Sequence, residues 1–214
     1  MNITFLGTSS GVPTLTRNVS SLALKLSQTA EVWLFDCGEG TQHQLMKSNI
    51  KSSQIKKIFI THMHGDHIYG LPGLLATLGL SGNSNGIEIY GPSELRNFVI
   101  SALNNSYCKL SFPLRFIEVV VFALLYKVLF ESDKIVVHCA CLKHRLPAYG
   151  YRVSEKDKPG IFDIKKAKDF KIPPGPIYSE LQSGKTVALK DLPSFKSTFL
   201  PDCNSEYIGP GGIL

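Results

Sequence analysis

The sequence predicts an α/β sandwich, a fold in which helices pack against β-sheets. Apolar segments of strand length recur through the first 141 residues, and segments with helix signals separate several of them. A pure β-barrel would lack these intervening helices, so the alternation favours the mixed class. The predicted strands are residues 2–6, 21–26, 32–35, 55–60, 87–90, 116–121 and 134–141.

Helix signals lie between several of these strands. Thr41 stands near the start of the first helical segment, and the second is interrupted by two glycines and a proline. Ser93 is the predicted N-cap of the third, with Glu94 in its first turn, where a carboxylate is favourable. The predicted helices are residues 40–47, 67–80 and 93–102.

Composition indicates an ordinary globular protein rather than a disordered one, with 43% apolar and 19% charged residues in a chain of 214. The longest apolar run, residues 119–130, is broken by Lys127. It is shorter than the roughly 20 residues that cross a bilayer, so a buried strand or core helix is predicted there. The first seven residues read as a strand rather than a signal peptide. These features predict a cytoplasmic protein without a membrane partner.

Positive charge is concentrated in one part of the chain. Residues 143–190 hold 11 Lys or Arg against 5 Asp or Glu, and this excess equals the net charge of +6. Lys, Pro and Gly dominate from residue 155 onward, which predicts a projecting arm. The excess charge is compatible with a solvated face or with a surface that contacts phosphates. The predicted domains are residues 1–154, an arm at 155–190, and a tail at 191–214 in which no element is predicted from residue 194 on.

A histidine motif follows the predicted strand 55–60. His62 and His64 are two residues apart, so in an extended segment both imidazoles project to the same side and can bind one metal ion. Asp66 and His67 come in the next turn, where they can bind a second ion. Nitrogen and carboxylate ligands suit zinc. The alternative, surface histidines satisfied within a loop, is weaker because this spacing is rare by chance.

The chain resembles the metallo-β-lactamase superfamily and, within it, ribonuclease Z, over about residues 1–190. That resemblance implies the N-terminal portion of an αββα sandwich, with the basic arm projecting from it, and two zinc ions per subunit. The motifs that carry it are Leu6-Gly-Thr-Ser-Ser-Gly-Val-Pro13, Phe35-Asp-Cys-Gly-Glu-Gly-Thr-Gln42, Thr61-His-Met-His-Gly-Asp-His-Ile-Tyr-Gly-Leu-Pro-Gly73, Lys143-His-Arg-Leu-Pro-Ala-Tyr-Gly-Tyr151 and Pro173-Pro-Gly-Pro176.

The resemblance also implies roles for individual residues. A third histidine should join His62 and His64; His144, just after a strand, is favoured over His138, which lies inside it. Asp66 should be both a ligand and the proton acceptor. Asp36 should hold the ligand loop by hydrogen bonds.

Resemblance to ribonuclease Z implies removal of the 3′ trailer from tRNA precursors by a homodimer, leaving a 3′-hydroxyl on the tRNA. The family's Pro-x-Lys-x-Arg-Asn loop falls on residues 13–18, with Leu15 in place of the lysine. The implied tRNA contacts are Arg17, Asn18, Lys165, Lys166, Lys168, Lys171, Gly175 and Pro176. The alternatives are another hydrolase of this fold acting on a small ester, and a non-catalytic tRNA-binding fragment.

Two ligands that the family pattern requires have no counterpart in the sequence. These are an aspartate that bridges both ions and a final histidine; only Asp191 and Asp202 follow residue 190, neither in a matching context. We therefore expect a truncated or frameshifted family member that is inactive or nearly so.

Overall fold

The computed structural model describes residues 1–120, 126–156, 162–189 and 192–196. Two compact units are present. The first comprises Met1–Glu131 and Val136–Val153, and the second comprises Ser132–Ile135 with the described residues from Ser154 onward. Residue 121 of the predicted strand 116–121, residues 121–125 of the long apolar run and most of the predicted tail lie outside the described residues.

A six-stranded sheet forms the centre of the first unit. Its order follows the chain from β1 to β6, with β1, β2 and β3 antiparallel to one another and the remaining neighbours parallel. Each of these strands overlaps a predicted one, which confirms the strand predictions for this part of the chain. The strands are β1 (Asn2–Gly7), β2 (Ser21–Lys25), β3 (Val32–Phe35), β4 (Ile55–Phe59), β5 (Ile87–Gly91) and β6 (Leu114–Glu118).

Four α-helices and one 3₁₀ turn connect these strands. The predicted helix 67–80 begins two residues earlier and is divided in two near Gly70, whose N–H donates to the Cys37 carbonyl at 3.0 Å instead of continuing the helix. Only glycine fits there, because a Cβ would lie 2.0 Å from the Gly38 carbonyl oxygen. The elements are α1 (Thr41–Lys47), the 3₁₀ turn Ser52–Gln54, α2 (Gly65–Ile68), α3 (Leu71–Leu80) and α4 (Glu94–Asn105).

Ser93 occupies the predicted N-cap position of α4, but the predicted capping hydrogen bond is wrong. Its backbone already has helical angles, φ −55° and ψ −37°, and no side-chain cap forms. Capping needs an extended backbone that turns the hydroxyl toward the first free N–H groups. The Ser93 hydroxyl instead donates to the Glu94 carboxylate at 3.1 Å.

Helix α3 buries one apolar stripe against the sheet. Leu71, Leu74, Leu75 and Leu78 follow the helical spacing i, i+3, i+4, i+7, and each is at most 2% exposed. They belong to the same cluster as Ile58 and other central strand residues. Burial of each such side chain contributes about 1.5–3 kcal/mol, so this contact fixes the position of the chain that leads into the helix.

A second, three-stranded sheet has the order β7–β8–β9. Its strands are β7 (Lys127–Glu131), β8 (Ile135–Leu142) and β9 (Ala148–Glu155). β8 was predicted with definite bounds, whereas β9 was not predicted because it mixes aromatic and polar residues without strict alternation. β7 overlaps the apolar run 119–130, for which a buried strand or core helix was predicted. The strand is confirmed, but its burial is wrong, because β7 is an edge strand with Lys127 and Val128 exposed.

Stacked aromatic rings join the two sheets. Phe35, Phe59 and Tyr90 are neighbours on adjacent strands, with ring centroids 4.9 and 4.7 Å apart. Tyr151 of β9 lies against this row at 5.3 Å from Phe59, and its hydroxyl donates to the Ile60 carbonyl at 2.8 Å. The second sheet therefore packs beside the end of β4, where the histidine motif begins.

The second unit contains regular structure, although the sequence indicated an arm rich in breakers. Asp163 caps the first helix by accepting the Lys166 N–H at 2.9 Å. A small core forms from Ala167, Ile172, Leu181 and Val187. Its elements are α5 (Ile164–Asp169), α6 (Pro176–Gln182), β10 (Thr186–Leu189) and β11 (Leu192–Lys196), the last two forming an antiparallel pair. Strand β11 contradicts the absence of any predicted element from residue 194 on.

Candidate metal centre

The histidine motif lies at the C-terminal end of β4, inside a parallel part of the sheet. Side chains from this edge of a parallel sheet commonly form binding sites. The Tyr149 N–H donates a hydrogen bond to the Thr61 carbonyl at 2.9 Å, and this bond connects the start of the motif to β9. His64 is extended, with φ −65° and ψ 144°, and the short helix α2 starts at the next residue. This change of direction separates the first two histidines from Asp66 and His67.

Three histidines converge at one point. His62, His64 and His144 each offer a ring nitrogen, and these atoms all lie within 4.8 Å of one another. The Nε2 of His62 is 3.0 Å from the Nδ1 of His64, and the Nε2 of His144 is 3.2 Å from that same atom. The structure thus brings together the three residues that the sequence grouped as ligands of one ion.

His138 does not join this group. It lies within β8, and its buried Nδ1 has no hydrogen-bond partner in the described part of the chain. His144 instead follows the end of β8, where the chain turns toward β9. Of the two candidates for the third histidine, the geometry therefore selects His144.

The chemistry of the three imidazoles fits a zinc ion. Zn–N distances of about 2.0–2.1 Å in a tetrahedral site place neighbouring ligand atoms about 3.3–3.4 Å apart, close to two of the observed separations. Burial, and then the nearby His67, lower the pKa of His62 to about 4. His62 is therefore neutral at pH 7, which is the form that binds a metal.

Asp36 supports the histidine motif through hydrogen bonds to Thr61 and His67. It stands at the end of β3, is 7% exposed, and has the left-handed backbone angle φ 58°. Its Oδ1 accepts the Thr61 N–H at 2.8 Å, and its Oδ2 accepts a hydrogen bond from the Nδ1 of His67 at 2.7 Å. Burial opposes protonation of His67, but this hydrogen bond and the charges of Asp36 and Asp66 outweigh it and raise the His67 pKa.

Asp66 and His67 form a second pair beside the three histidines. The Nε2 of His67 is 3.3 Å from the Oδ2 of Asp66, and the rings of His62 and His67 are 4.0 Å apart between centroids. Burial opposes ionisation of Asp66, but the Gly11 N–H, which donates to Oδ2 at 2.8 Å, and His67 lower its pKa. Asp66 is therefore an anion at neutral pH, as a metal ligand or proton acceptor must be.

Sequence reasoning missed two contributors to this site. The Thr61 hydroxyl lies 3.0 Å from both carboxylate oxygens of Asp36 and 2.8 Å from the Nδ1 of His62. Gly11 contributes only a backbone N–H from a loop 55 residues earlier in the chain. The position of Thr61 directly before the motif was an available signal, whereas no sequence pattern could reveal the contact of Gly11.

The residues expected to contact tRNA fall in two places. Arg17 is exposed in the loop after β1, and Asn18 donates its side-chain N–H to the Glu39 carbonyl at 2.7 Å. Leu15, also in this loop, is fully exposed. The remaining candidates are exposed residues of the second unit, on or just after α5 and at the start of α6, namely Lys165, Lys166, Lys168, Lys171, Gly175 and Pro176.

The described helices are short. The longest of them has 12 residues, and none combines the length and apolar character that crossing a bilayer requires.

The sheet order, the helices and the histidine cluster define a protein of the metallo-β-lactamase fold. The metallo-β-lactamase fold protein YhfI from Bacillus subtilis superposes with a TM-score of 0.53 at 16% identity, over 71% of this chain and 58% of that one. A family model described as "Anti-Pycsar protein Apyc1" matches residues 1–111. The chain belongs to the family which that model describes.

Within this fold, ribonuclease Z proteins are similar to this chain in sequence. The ribonuclease Z of Prochlorococcus marinus subsp. pastoris is 88% identical over 195 residues, which are 91% of this chain. The crystal structure of human tRNase Z, short form, shares 43% identity and superposes with a TM-score of 0.66, over 72% of this chain and 65% of that one. The resemblance to ribonuclease Z drawn from the motifs is therefore confirmed. The chain spans 62% of the length of the Prochlorococcus relative.

Proposed function

We propose that this chain provides the metal-binding part of a zinc endoribonuclease that removes the 3′ trailer from tRNA precursors. The observation that carries the proposal is the convergence of His62, His64 and His144 within 4.8 Å, with the Asp66–His67 pair beside them. The similarity to ribonuclease Z of Prochlorococcus marinus and to human tRNase Z supports the choice of substrate.

Two groups of side chains would hold the ions. His62, His64 and His144 would hold one, and Asp66 with His67 would contribute to a second. When bound, zinc polarises the scissile phosphate and lowers the pKa of a bound water. With three histidines as its only protein ligands, such an ion would keep a position for water or substrate, as catalytic zinc sites do.

The protein's own residues would accept the proton and hold a proposed ligand in position. Asp66 is a carboxylate at neutral pH and lies beside the three histidines, so it would accept a proton from the attacking water. Asp36 binds the Nδ1 of His67 and thereby fixes the ring so that Nε2 faces Asp66. The expected cut lies after the discriminator nucleotide and leaves a 3′-hydroxyl.

Recognition of the RNA would rest on charge and shape rather than on base sequence. Lys165, Lys166 and Lys168 are exposed along α5, and Lys171 follows it. Lysine side chains pair with phosphates without reading bases, and folded RNA is recognised largely by its shape. The second unit is therefore proposed as the surface that contacts the tRNA backbone, and a homodimer as the assembled form.

Cleavage of a 3′-extended tRNA precursor tests the proposal. The protein assayed is this chain joined to the last third of the Prochlorococcus relative, which supplies the length that the chain does not span. We expect zinc-dependent cleavage after the discriminator, abolished by His64→Ala and kept by His138→Ala. A zinc-loaded protein that hydrolyses small phosphodiesters but leaves the precursor intact would contradict the proposed substrate.

Sedimentation of the same protein tests the assembly. A mass of twice the chain mass at micromolar concentration is expected, and a monomer at all concentrations that still cleaves the precursor would contradict the homodimer.

A further inference from the structure

The loop between β1 and β2, residues 8–18, is held closed by its own hydrogen bonds. The Ser9 N–H donates to the Asn18 carbonyl at 2.8 Å, and an isolated parallel bridge pairs Ser9 with Val19. Nearer the tip, the Thr14 N–H donates to the Arg17 carbonyl at 2.8 Å. These contacts give the loop one shape although most of its side chains are exposed.

Two further hydrogen bonds attach this loop to the metal centre. The Gly11 N–H donates to the Oδ2 of Asp66 at 2.8 Å, with Gly11 in the left-handed region at φ 59°. The Asn18 side chain donates to the Glu39 carbonyl at 2.7 Å, in the turn that precedes α1. The first bond holds the carboxylate, and the second holds the base of the loop that carries Gly11.

Close packing leaves little freedom at the base of this loop. A Cβ at Gly38 would lie 2.2 Å from the Asp66 carbonyl oxygen and 2.6 Å from a methyl group of Val19. A Cβ at Gly40 would lie 3.2 Å from the Oδ1 of Asn18. The end of the loop, the turn before α1 and the backbone of Asp66 therefore meet without space between them.

We propose that Asn18 is a positioning residue for Asp66: it fixes the loop of residues 8–18 so that the Gly11 N–H orients the Asp66 carboxylate. This inference rests on the proposed function only insofar as Asp66 binds a metal ion. It assigns Asn18 a role inside the protein, in place of the contact with tRNA that the resemblance implied. A hydrogen bond to one carboxylate oxygen limits rotation of the group, as outer hydrogen-bond partners do for metal ligands.

The first measurement is hydrogen exchange of the Gly11 amide in the metal-free chain of 214 residues. The variants are Asn18→Ala and the isosteric Asn18→Asp, which removes the donor. The matched control is Gln54→Ala, because the Gln54 amide also ties a remote loop, donating to the Ala30 carbonyl at 3.1 Å away from the site. We expect exchange at Gly11 to speed up at least tenfold in both Asn18 variants and to stay unchanged in the control. Equal rates in all three variants would overturn the proposal.

The second measurement is a titration with Co²⁺, whose absorption reports the ligands of each ion. The Co²⁺ ion that depends on Asp66 is identified by its loss in Asp66→Ala. We expect Asn18→Ala to lower the affinity for this ion about tenfold and to leave the affinity for the ion bound by His62, His64 and His144 unchanged. Weaker tRNA binding with unchanged Gly11 exchange and Co²⁺ spectra would assign Asn18 to the RNA and overturn the proposal. If the wild-type chain binds no Co²⁺ at all, the proposed function fails, and Gly11 exchange still decides the role of Asn18.

Discussion

Asp36 and His67 are joined by a hydrogen bond of 2.7 Å, between the carboxylate Oδ2 and the ring Nδ1. The bond links the end of β3 to the start of α2, across 31 residues of sequence. Since the carboxylate can only accept, Nδ1 carries a proton, and the Nε2 of His67 faces the Oδ2 of Asp66 at 3.3 Å. One buried carboxylate thus fixes both the tautomer and the orientation of a proposed metal ligand.

Removal of this carboxylate should destabilise the fold as well as the site. Asp36→Ala leaves the Thr61 N–H and the His67 ring without their acceptor, so we expect a loss of about 1–3 kcal/mol of unfolding free energy. Urea unfolding of the metal-free protein measures it. Asp36→Asn should cost less, because asparagine tolerates the left-handed backbone and retains one acceptor oxygen. Equal stability of wild type and Asp36→Ala would contradict this role.

His144 and His138 should differ sharply in metal binding. His144→Ala removes a ligand, so we expect zinc affinity to fall by more than the roughly 10- to 100-fold that loss of an outer hydrogen-bond partner produces. His138→Ala is the matched control, since it removes a histidine from the same part of the chain but outside the cluster. Competition with a chelator of known affinity measures both. A larger loss in His138→Ala than in His144→Ala would contradict the assignment.

Stability at acid pH should depend on Glu88. Burial opposes ionisation of Glu88, but hydrogen bonds from Lys57 and Tyr90 and the charges of Lys57 and Arg115 outweigh it and lower its pKa. A carboxyl with a lowered folded-state pKa stabilises the fold above its unfolded-state value of 4.5, and that stability is lost as pH falls through the folded-state pKa.

We therefore expect wild type to lose stability relative to Glu88→Gln as pH falls below about 4.5. Urea unfolding from pH 6 downward measures the difference. Parallel stability curves for the two proteins would show that Glu88 does not carry this dependence. Glu94→Gln is a suitable control, because Glu94 is exposed at the start of α4.

The lysines of α5 should contribute to RNA affinity through charge. We expect weaker tRNA binding in the triple variant Lys165→Ala/Lys166→Ala/Lys168→Ala. The slope of log K against the logarithm of the salt concentration should become shallower by up to about 0.7–0.9 per lost phosphate contact. Fluorescence anisotropy across a salt series measures both. The control replaces three exposed lysines of the first unit, Lys47, Lys51 and Lys109, with the same change in net charge. Equal effects of the two triple variants would mean that only net charge matters.

Local patterns in the sequence were sufficient to predict the central sheet and the proximity of His62 and His64, whereas the place of His144 beside them came from the family resemblance. Strands β1 to β6 have clear apolar runs bounded by turns, and the two-residue spacing of His62 and His64 predicts neighbouring rings by strand geometry alone. The burial of strand β7 was misjudged because an apolar run does not show which of its residues lie at an edge. The small core around Ala167 and Leu181 was missed because prolines and glycines dominate that segment.

Long-range contacts explain what the sequence could not predict at the site. The Gly11 N–H reaches Asp66 only after the first strand and the motif loop are folded together, and a backbone donor has no residue signature. The sequence favoured His144 over His138 because His144 follows the predicted strand, but only the folded sheets bring it to His62 and His64. Both contacts are consequences of tertiary packing rather than of local propensity.

X-ray absorption spectroscopy of the chain loaded with one equivalent of zinc tests whether the three histidines bind the ion. We expect imidazole ligation by three histidines with Zn–N distances of about 2.0–2.1 Å. In His64→Ala the number of imidazole ligands should fall or the zinc should be lost. A sulfur shell at about 2.3 Å, indicating cysteine ligation, or an imidazole count unchanged by His64→Ala, would contradict the account.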